Sequence, residues 1–216
     1  LGFGVVGGGV WELAQENRAL NVKKVLVRRE TPSLGKAAVQ DVEAILRDTE
    51  IDTVVEVLGG LHPAYEWICR ALAAGKDVVT ANKAVISAYY RELTALAREN
   101  GVALRCTAAV GGGIPWLVNL QRCRRVDTVT EVGGIMNGTT NFIMDAMARQ
   151  GADFPAVLQR AQELGYAEAD PSADIDGDDI RRKLTISANI AFDALLVSLS
   201  ILSMLTFTDH SSFCIL

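Results

Sequence analysis

The first half of the chain alternates short β-branched runs with stretches of helical periodicity, the signature of a parallel sheet whose crossovers are helices. The spacing predicts strands at 22–27, 53–58, 77–80 and 102–106, with helices at 10–17, 39–47, 64–74 and 88–100 between them. The last of these, ending in ELTALAREN before Gly101, has an amphipathic repeat and then a glycine stop. A doubly wound α/β half-fold is the expectation. Beyond Cys106 the texture changes to a glycine-rich stretch, AAVGGGIPW, and then to a predicted strand at 124–136 and helices at 141–150, 155–164 and from Asp178 onward. That second region reads as a mixed α+β domain.

The glycine turn opens at Gly2, where a buried strand would normally precede it, so the first strand is read as mostly missing. The other end departs from globular patterning too. From Leu184 on, the only ionisable acids are Asp193 and Asp209, and no lysine or arginine occurs. The apolar run 194–207 falls short of the ~20 residues a bilayer span needs. It reads either as a strongly buried helix or as a tail no longer encoding the original protein, and the absence of a polar face and of caps favours the tail.

Composition narrows the function classes. Half of the 216 residues are hydrophobic and 22% charged, as in a globular protein rather than a disordered or fibrous one. A formal net charge of -5 argues against a surface made to bind nucleic acid or anionic lipid. Cys69, Cys106, Cys123 and Cys214 form no C-x-x-C pair and stand apart from His62 and His210, so neither a metal cage nor a disulfide framework is expected. Reduced cysteines, together with an opening segment unlike a signal peptide, point to the cytoplasm and to no membrane partner.

The first candidate chemistry is Gly2-Phe3-Gly4-Val5-Val6-Gly7, a G-x-G-x-x-G match followed by a helix and then a strand, the context of a Rossmann dinucleotide site. Backbone amides at the helix start would face the pyrophosphate. At the end of the following strand, where an acid would accept from the ribose of NAD, stand Arg28 and Arg29 before Glu30. Guanidinium groups there suit the 2'-phosphate of NADP. The alternative leaves both arginines solvated and Glu30 on the ribose of NAD. Thr80 and Lys83 close the next strand, on the side of an open sheet where ligands sit.

The densest cluster runs from Gly165 to Lys183 and carries Glu168, Asp170, Asp174, Asp176, Asp178 and Asp179 ahead of Arg181, Arg182 and Lys183. It lacks the calcium-loop pattern. By itself it reads as an acidic helix start that complements the macrodipole. Asp179 and Lys183 are i and i+4, so on a helix they share a face.

Taken together, GFGVVGGG, AGKDVVTANKA, AAVGGGIPW, GGIMNGTTNFIMDAM and AQELGYAEADPSADIDGDDIRRKLTI resemble homoserine dehydrogenases in order and spacing, from Gly2 to about Phe192. The resemblance implies a cofactor domain over 1–107, an incomplete catalytic domain over 108–194 and an atypical tail over 195–216. It implies NAD(P)-dependent interconversion of L-homoserine and L-aspartate 4-semialdehyde, in threonine, methionine and isoleucine biosynthesis, by a homodimer. Carried over residue by residue, it makes Lys183 the proton donor and sets Lys83 beside cofactor and substrate. Glu168, Asp174 and Asp179 would hold the substrate amino acid, and Gly165 would contact the dinucleotide. A sodium ion would lie on the carbonyls of Val110, Gly112 and Ile114, although Thr107 stands where the family usually has a glutamate. The competing expectation is an impaired remnant that at most binds a dinucleotide, its sheet edges unpaired.

Overall fold

Short runs of valine and leucine with a polar residue at each end nucleate the strands of the first half, and each is followed by a crossover that returns the chain parallel to itself. In the computed structural model, which describes residues 1–193, the chain divides into two compact units, Leu1–Trp116 and the residues from Leu117 on. The expected boundary at residue 107 falls inside the first unit. The tail expected over 195–216 lies outside the described residues.

The first unit carries strands β1 (Val25–Leu26), β2 (Ala38–Val39), β3 (Thr53–Glu56), β4 (Asp77–Thr80) and β5 (Leu104–Arg105). All pairings are parallel, as two ladders, β1-β2 and β3-β4-β5. Leu1 lies between the ladders. Its amine donates to Val55 O, its carbonyl accepts from Val57 N at 3.0 Å, and Gly2 N donates to Leu26 O at 3.2 Å. Leu1 thus bonds along β3, and Gly2, the first residue of the glycine turn, bonds to β1. Beside it, between α1 (Val5–Glu16) and the two strands, is a cavity of about 380 Å³ lined by Val10, Trp11, Ala14, Leu20, Ile45 and Val54.

Helices α2 (Glu43–Leu46), α3 (Ala64–Ala73) and α4 (Lys83–Glu99) complete this unit. Ala64, Ile68, Ala71 and Leu72 on α3 and Val85, Ile86 and Leu93 on α4 are fully buried, together with Val78 of β4. Burying such side chains stabilises by roughly 1.5–3 kcal/mol for each large one. The helix predicted over 39–47 is shorter than expected, because Val39 joins β2 against Leu26. Helix α4 starts five residues earlier than the periodicity suggests, because Asn82 caps it by accepting from Val85 N at 3.2 Å.

The second unit contains the remainder of α5 (Trp116–Cys123), then α6 (Gly138–Gln150), α7 (Phe154–Glu163), α8 (Ser172–Ile175) and α9 (Asp178–Phe192). Ile143 and Ala146 of α6 pack with Val157 and Ala161 of α7 and with Ala167 in a small core. The strand predicted over 124–136 is not formed: residues 124–126 are a turn, Asp127 is a bend, and of the rest only Glu131 makes a bridge. Alternation is a local signal, whereas a strand also needs a neighbour along its length to take up its backbone bonds. Val126 and Ile135 accordingly lie exposed, while Val132 is buried. Among the described residues, no helix is long and apolar enough to cross a membrane.

Candidate functional site

The glycine turn is shaped by close approach. Gly2 has φ +96°, a left-handed value that disfavours a side chain. A Cβ at Gly7 would come within 2.4 Å of the Gly2 carbonyl oxygen, so only hydrogen fits there. Gly4 precedes the first turn of α1 in extended conformation, and Val5 and Val6 behind it are exposed. The orphan amides at this helix end therefore face open space, as an anionic group requires. Arg28 and Arg29 follow β1 directly and are exposed.

Across the strand ends of the same unit runs a buried polar network that sequence reasoning missed. Glu56, fully buried, accepts from Thr80 Oγ1 at 2.6 Å and from Leu58 N at 2.8 Å. Asn82 Nδ2 donates to Gly60 O at 2.8 Å and more distantly, at 3.4 Å, to Glu56 Oε1. A buried carboxylate is tolerated only when its oxygens are hydrogen-bonded. The network ties the 57–60 loop to the start of α4. Thr80 is thereby committed inward, while Lys83 is the first residue of α4 and half-buried. A lysine at a helix N-terminus opposes the macrodipole, which makes it an uncommon choice for structure alone.

In the second unit the acidic run folds into α8, a glycine turn at Gly177 (φ +80°) and the start of α9. Asp178 and Asp179 occupy the first turn of α9, where negative charge is favoured. Lys183 Nζ lies 2.7 Å from Asp179 Oδ2 and donates to Met136 O at 2.6 Å. Asn137 Nδ2 donates to Asp174 Oδ1 at 2.7 Å and to Asp179 Oδ2 at 2.9 Å. Asp179 and Asn137 are buried, and the Lys183 side chain is 17% exposed. An ammonium has three donors, and Asp179 and Met136 take two of them.

The structure therefore brings Lys183, Asp179 and Asp174 together and adds Asn137 and the Met136 carbonyl. Glu168 is not in this cluster. It is exposed, and among the described residues its side chain joins none of these hydrogen bonds, although its carbonyl accepts from Gln162 Nε2 at 3.1 Å. Gly165 has φ +77° just past α7, the usual helix-stopping role of glycine. Nearby Asp170 has its carboxyl held below the usual range by the Ser172 hydroxyl and then by the Ser172 amide.

The turn from Thr107 is a single 3-10 turn, Thr107–Ala109, and among the described residues no group of three or more acidic, histidine or cysteine side chains is placed to hold a metal ion. Val110 is buried, Gly112 and Ile114 are exposed, and Ile114 O already accepts from Trp116 N at 2.8 Å. With the neutral Thr107 in place of a carboxylate, this set does not fit a tightly held cation.

The family model for the homoserine dehydrogenase NAD-binding domain matches residues 2–107, and that for homoserine dehydrogenase itself matches 115–207. The Synechocystis sp. homoserine dehydrogenase is 44% identical over 204 residues, covering 89% of this chain and 47% of that protein. The solved Thiobacillus denitrificans homoserine dehydrogenase superposes with TM-score 0.83 at 38% identity, over 95% of this chain and 52% of that one. A hyperthermophilic archaeal homoserine dehydrogenase in complex with NADPH gives TM-score 0.73 at 26% identity, over 89% and 68%. The chain spans about half the length of the curated relatives it matches.

Proposed function

Because the chain belongs to the homoserine dehydrogenase family, we propose that it interconverts L-homoserine and L-aspartate 4-semialdehyde with a nicotinamide dinucleotide. The observation that carries the reading is the contact of the largely buried Lys183 with Asp179 and Met136 O, which among the described residues take two of the three ammonium donors, the third suiting a substrate oxygen.

The dinucleotide, when bound, supplies or accepts the hydride. Its pyrophosphate would rest on the amides behind Gly2, Phe3, Gly4, Val5, Val6 and Gly7. We assign NADP rather than NAD on the charge of Arg28 and Arg29, and the NADPH complex of the archaeal relative supports that choice. In the reducing direction negative charge grows on the aldehyde oxygen of the substrate. Lys183 stabilises that oxygen electrostatically and gives it a proton. In the oxidising direction it takes the hydroxyl proton back. Asp179 and Asp174 are suited to the substrate α-ammonium, a charge that needs anionic partners in a partly dry site.

Glu168 would join these acids, and Lys83, Thr80 and Gly165 would border the dinucleotide. No step is routed through a cation at Val110, Gly112 and Ile114. Pairing of two copies through the second unit stays part of the proposal. Against the reading of a remnant that only binds a dinucleotide stands the proton-donating cluster itself, which costs desolvation to assemble and serves no dinucleotide.

The test is NADPH-dependent reduction of aspartate semialdehyde by the purified protein and by Lys183→Ala. The variant should lose on the order of 10²–10⁴-fold in turnover, the usual contribution of a general acid. NADPH affinity should be unchanged. Turnover retained in Lys183→Ala would overturn the assignment.

A further inference from the structure

We propose that Asn137 is a positioning residue for the substrate acids: its one side-chain amide holds Asp174 and Asp179 at fixed separation while anchoring the pair to the start of α6. The inference rests on the function proposed above and adds to it a residue that acts through the two acids.

Every polar atom of this side chain is used. The Nδ2 donates one hydrogen to Asp174 Oδ1 at 2.7 Å and one to Asp179 Oδ2 at 2.9 Å. The Oδ1 accepts from Thr140 N at 2.8 Å and from Thr140 Oγ1 at 3.0 Å, which caps α6. A cap alone needs only the oxygen, and serine, threonine or aspartate supplies it equally well. The two amide hydrogens require a different explanation.

Two carboxylates meeting at one buried amide repel each other, and without a shared donor they would turn apart. The groups facing the amide are Asp174 from α8 and Asp179 and Lys183 from α9. An amide is the one small side chain that presents two hydrogens in a plane, caps a helix with its oxygen and stays neutral at every working pH. Asp179 Oδ2 thereby receives Asn137 on one side and Lys183 on the other, so the amide also fixes the acid that orients the ammonium. The Met136 carbonyl, one residue earlier, holds the same ammonium, so the 136–137 dipeptide positions both halves of the pair.

Two variants separate positioning from capping. Asn137→Ser keeps a capping oxygen and removes both amide hydrogens. Asn137→Asp keeps shape and cap but turns an acceptor toward two carboxylates; at low pH the protonated new carboxyl regains one O–H donor. The readouts are KM and kcat for homoserine oxidation from about pH 5 to pH 9, NADP affinity, and the melting temperature. Expected for both variants is a rise in homoserine KM of roughly 10–100-fold, as for a misplaced binding group. NADP affinity should hold. The deficit of Asn137→Asp should shrink as pH falls, while that of Asn137→Ser should not.

A homoserine KM equal to wild type in either variant overturns the inference. So does a deficit of Asn137→Asp that is independent of pH, or a collapse of both variants' melting temperatures with NADP binding lost, since each makes the amide purely structural. If the wild-type protein turns over no homoserine, the proposed function itself falls, and this inference with it; an active wild type with unaffected variants removes the inference alone.

Discussion

Adding one methyl group at Gly7 tests the glycine turn most directly. In Gly7→Ala the new Cβ would stand 2.4 Å from the Gly2 carbonyl oxygen, roughly 1 Å inside ordinary van der Waals contact. The obstacle is backbone, and it cannot retreat freely, because Gly2 N is bonded to Leu26 O and Leu1 O to Val57 N. Overpacking of this kind costs about 1–3 kcal/mol. It is offset in part by the helix propensity of alanine, worth up to ~1 kcal/mol over glycine. The net loss of up to roughly 3 kcal/mol lowers the melting temperature by up to roughly 12 °C, taking about 2–4 °C per kcal/mol for a domain of this size. The control is Gly8→Ala, one residue along the same helix, where a Cβ meets nothing within 4 Å. That variant should melt slightly higher than wild type, by the propensity gain alone. The assay is thermal unfolding of the three proteins with and without NADPH, and the shift produced by NADPH should be smallest for Gly7→Ala. Equal melting temperatures for the two variants, or a more stable Gly7→Ala, would refute the close-packing argument.

Three further outcomes follow from particular side chains. Replacing Arg28 and Arg29 by alanine should weaken NADPH by roughly 10–100-fold, the worth of hydrogen bonds to a charged group, and leave NADH unaffected; titration with both dinucleotides checks it, and an equal loss for both refutes it. Asp48 has its carboxyl pulled well below the usual range, first by the hydrogen bond from Lys24, with the amide of Glu50 and Lys23 contributing. Because its folded value lies below the unfolded one of ~3.9, its stabilising contribution is present above that pH and is lost as pH falls through and beneath it. Asp48→Asn should therefore flatten the acid limb of stability measured by urea melts, and an unchanged limb counts against the ion cluster. Burial pushes the Cys106 thiol up to about 11, while Cys123 is exposed. A thiol reagent at neutral pH should label Cys123 in the native protein and Cys106 only after denaturation, as mass mapping would show, with comparable rates refuting it.

What could be read from the sequence was whatever local spacing determines. Strand β4 lies where it was predicted, and α3, α6, α7 and α9 differ from expectation by a few residues at their ends, where caps rather than periodicity decide. The early start of α4 is such a case. Its amphipathic repeat resumes near Tyr89, where the helix is kinked, and the first turn is set by Asn82 instead. The strand predicted over 124–136 failed because pairing is not a local property. The site was half legible. The i, i+4 spacing of Asp179 and Lys183 forecast their contact, but Asn137 reaches acids 37 and 42 residues away, and its sequence signal is only that of a helix cap. The network of Glu56 with Thr80 and Asn82 was hidden in the same way, because an acid inside a β-branched run gives no sign of which strand will satisfy it.

The position of Leu1 has a thermodynamic consequence for the first unit. Leu1 bonds to one ladder and Gly2, where the glycine turn begins, bonds to the other. A dinucleotide seated there would act as a clasp across a seam, and its occupancy would be felt as resistance of the whole sheet to opening. At a concentration 100 times its dissociation constant such a ligand adds about 2.7 kcal/mol to folding. A dinucleotide bound at the turn would then stabilise the first unit as a whole.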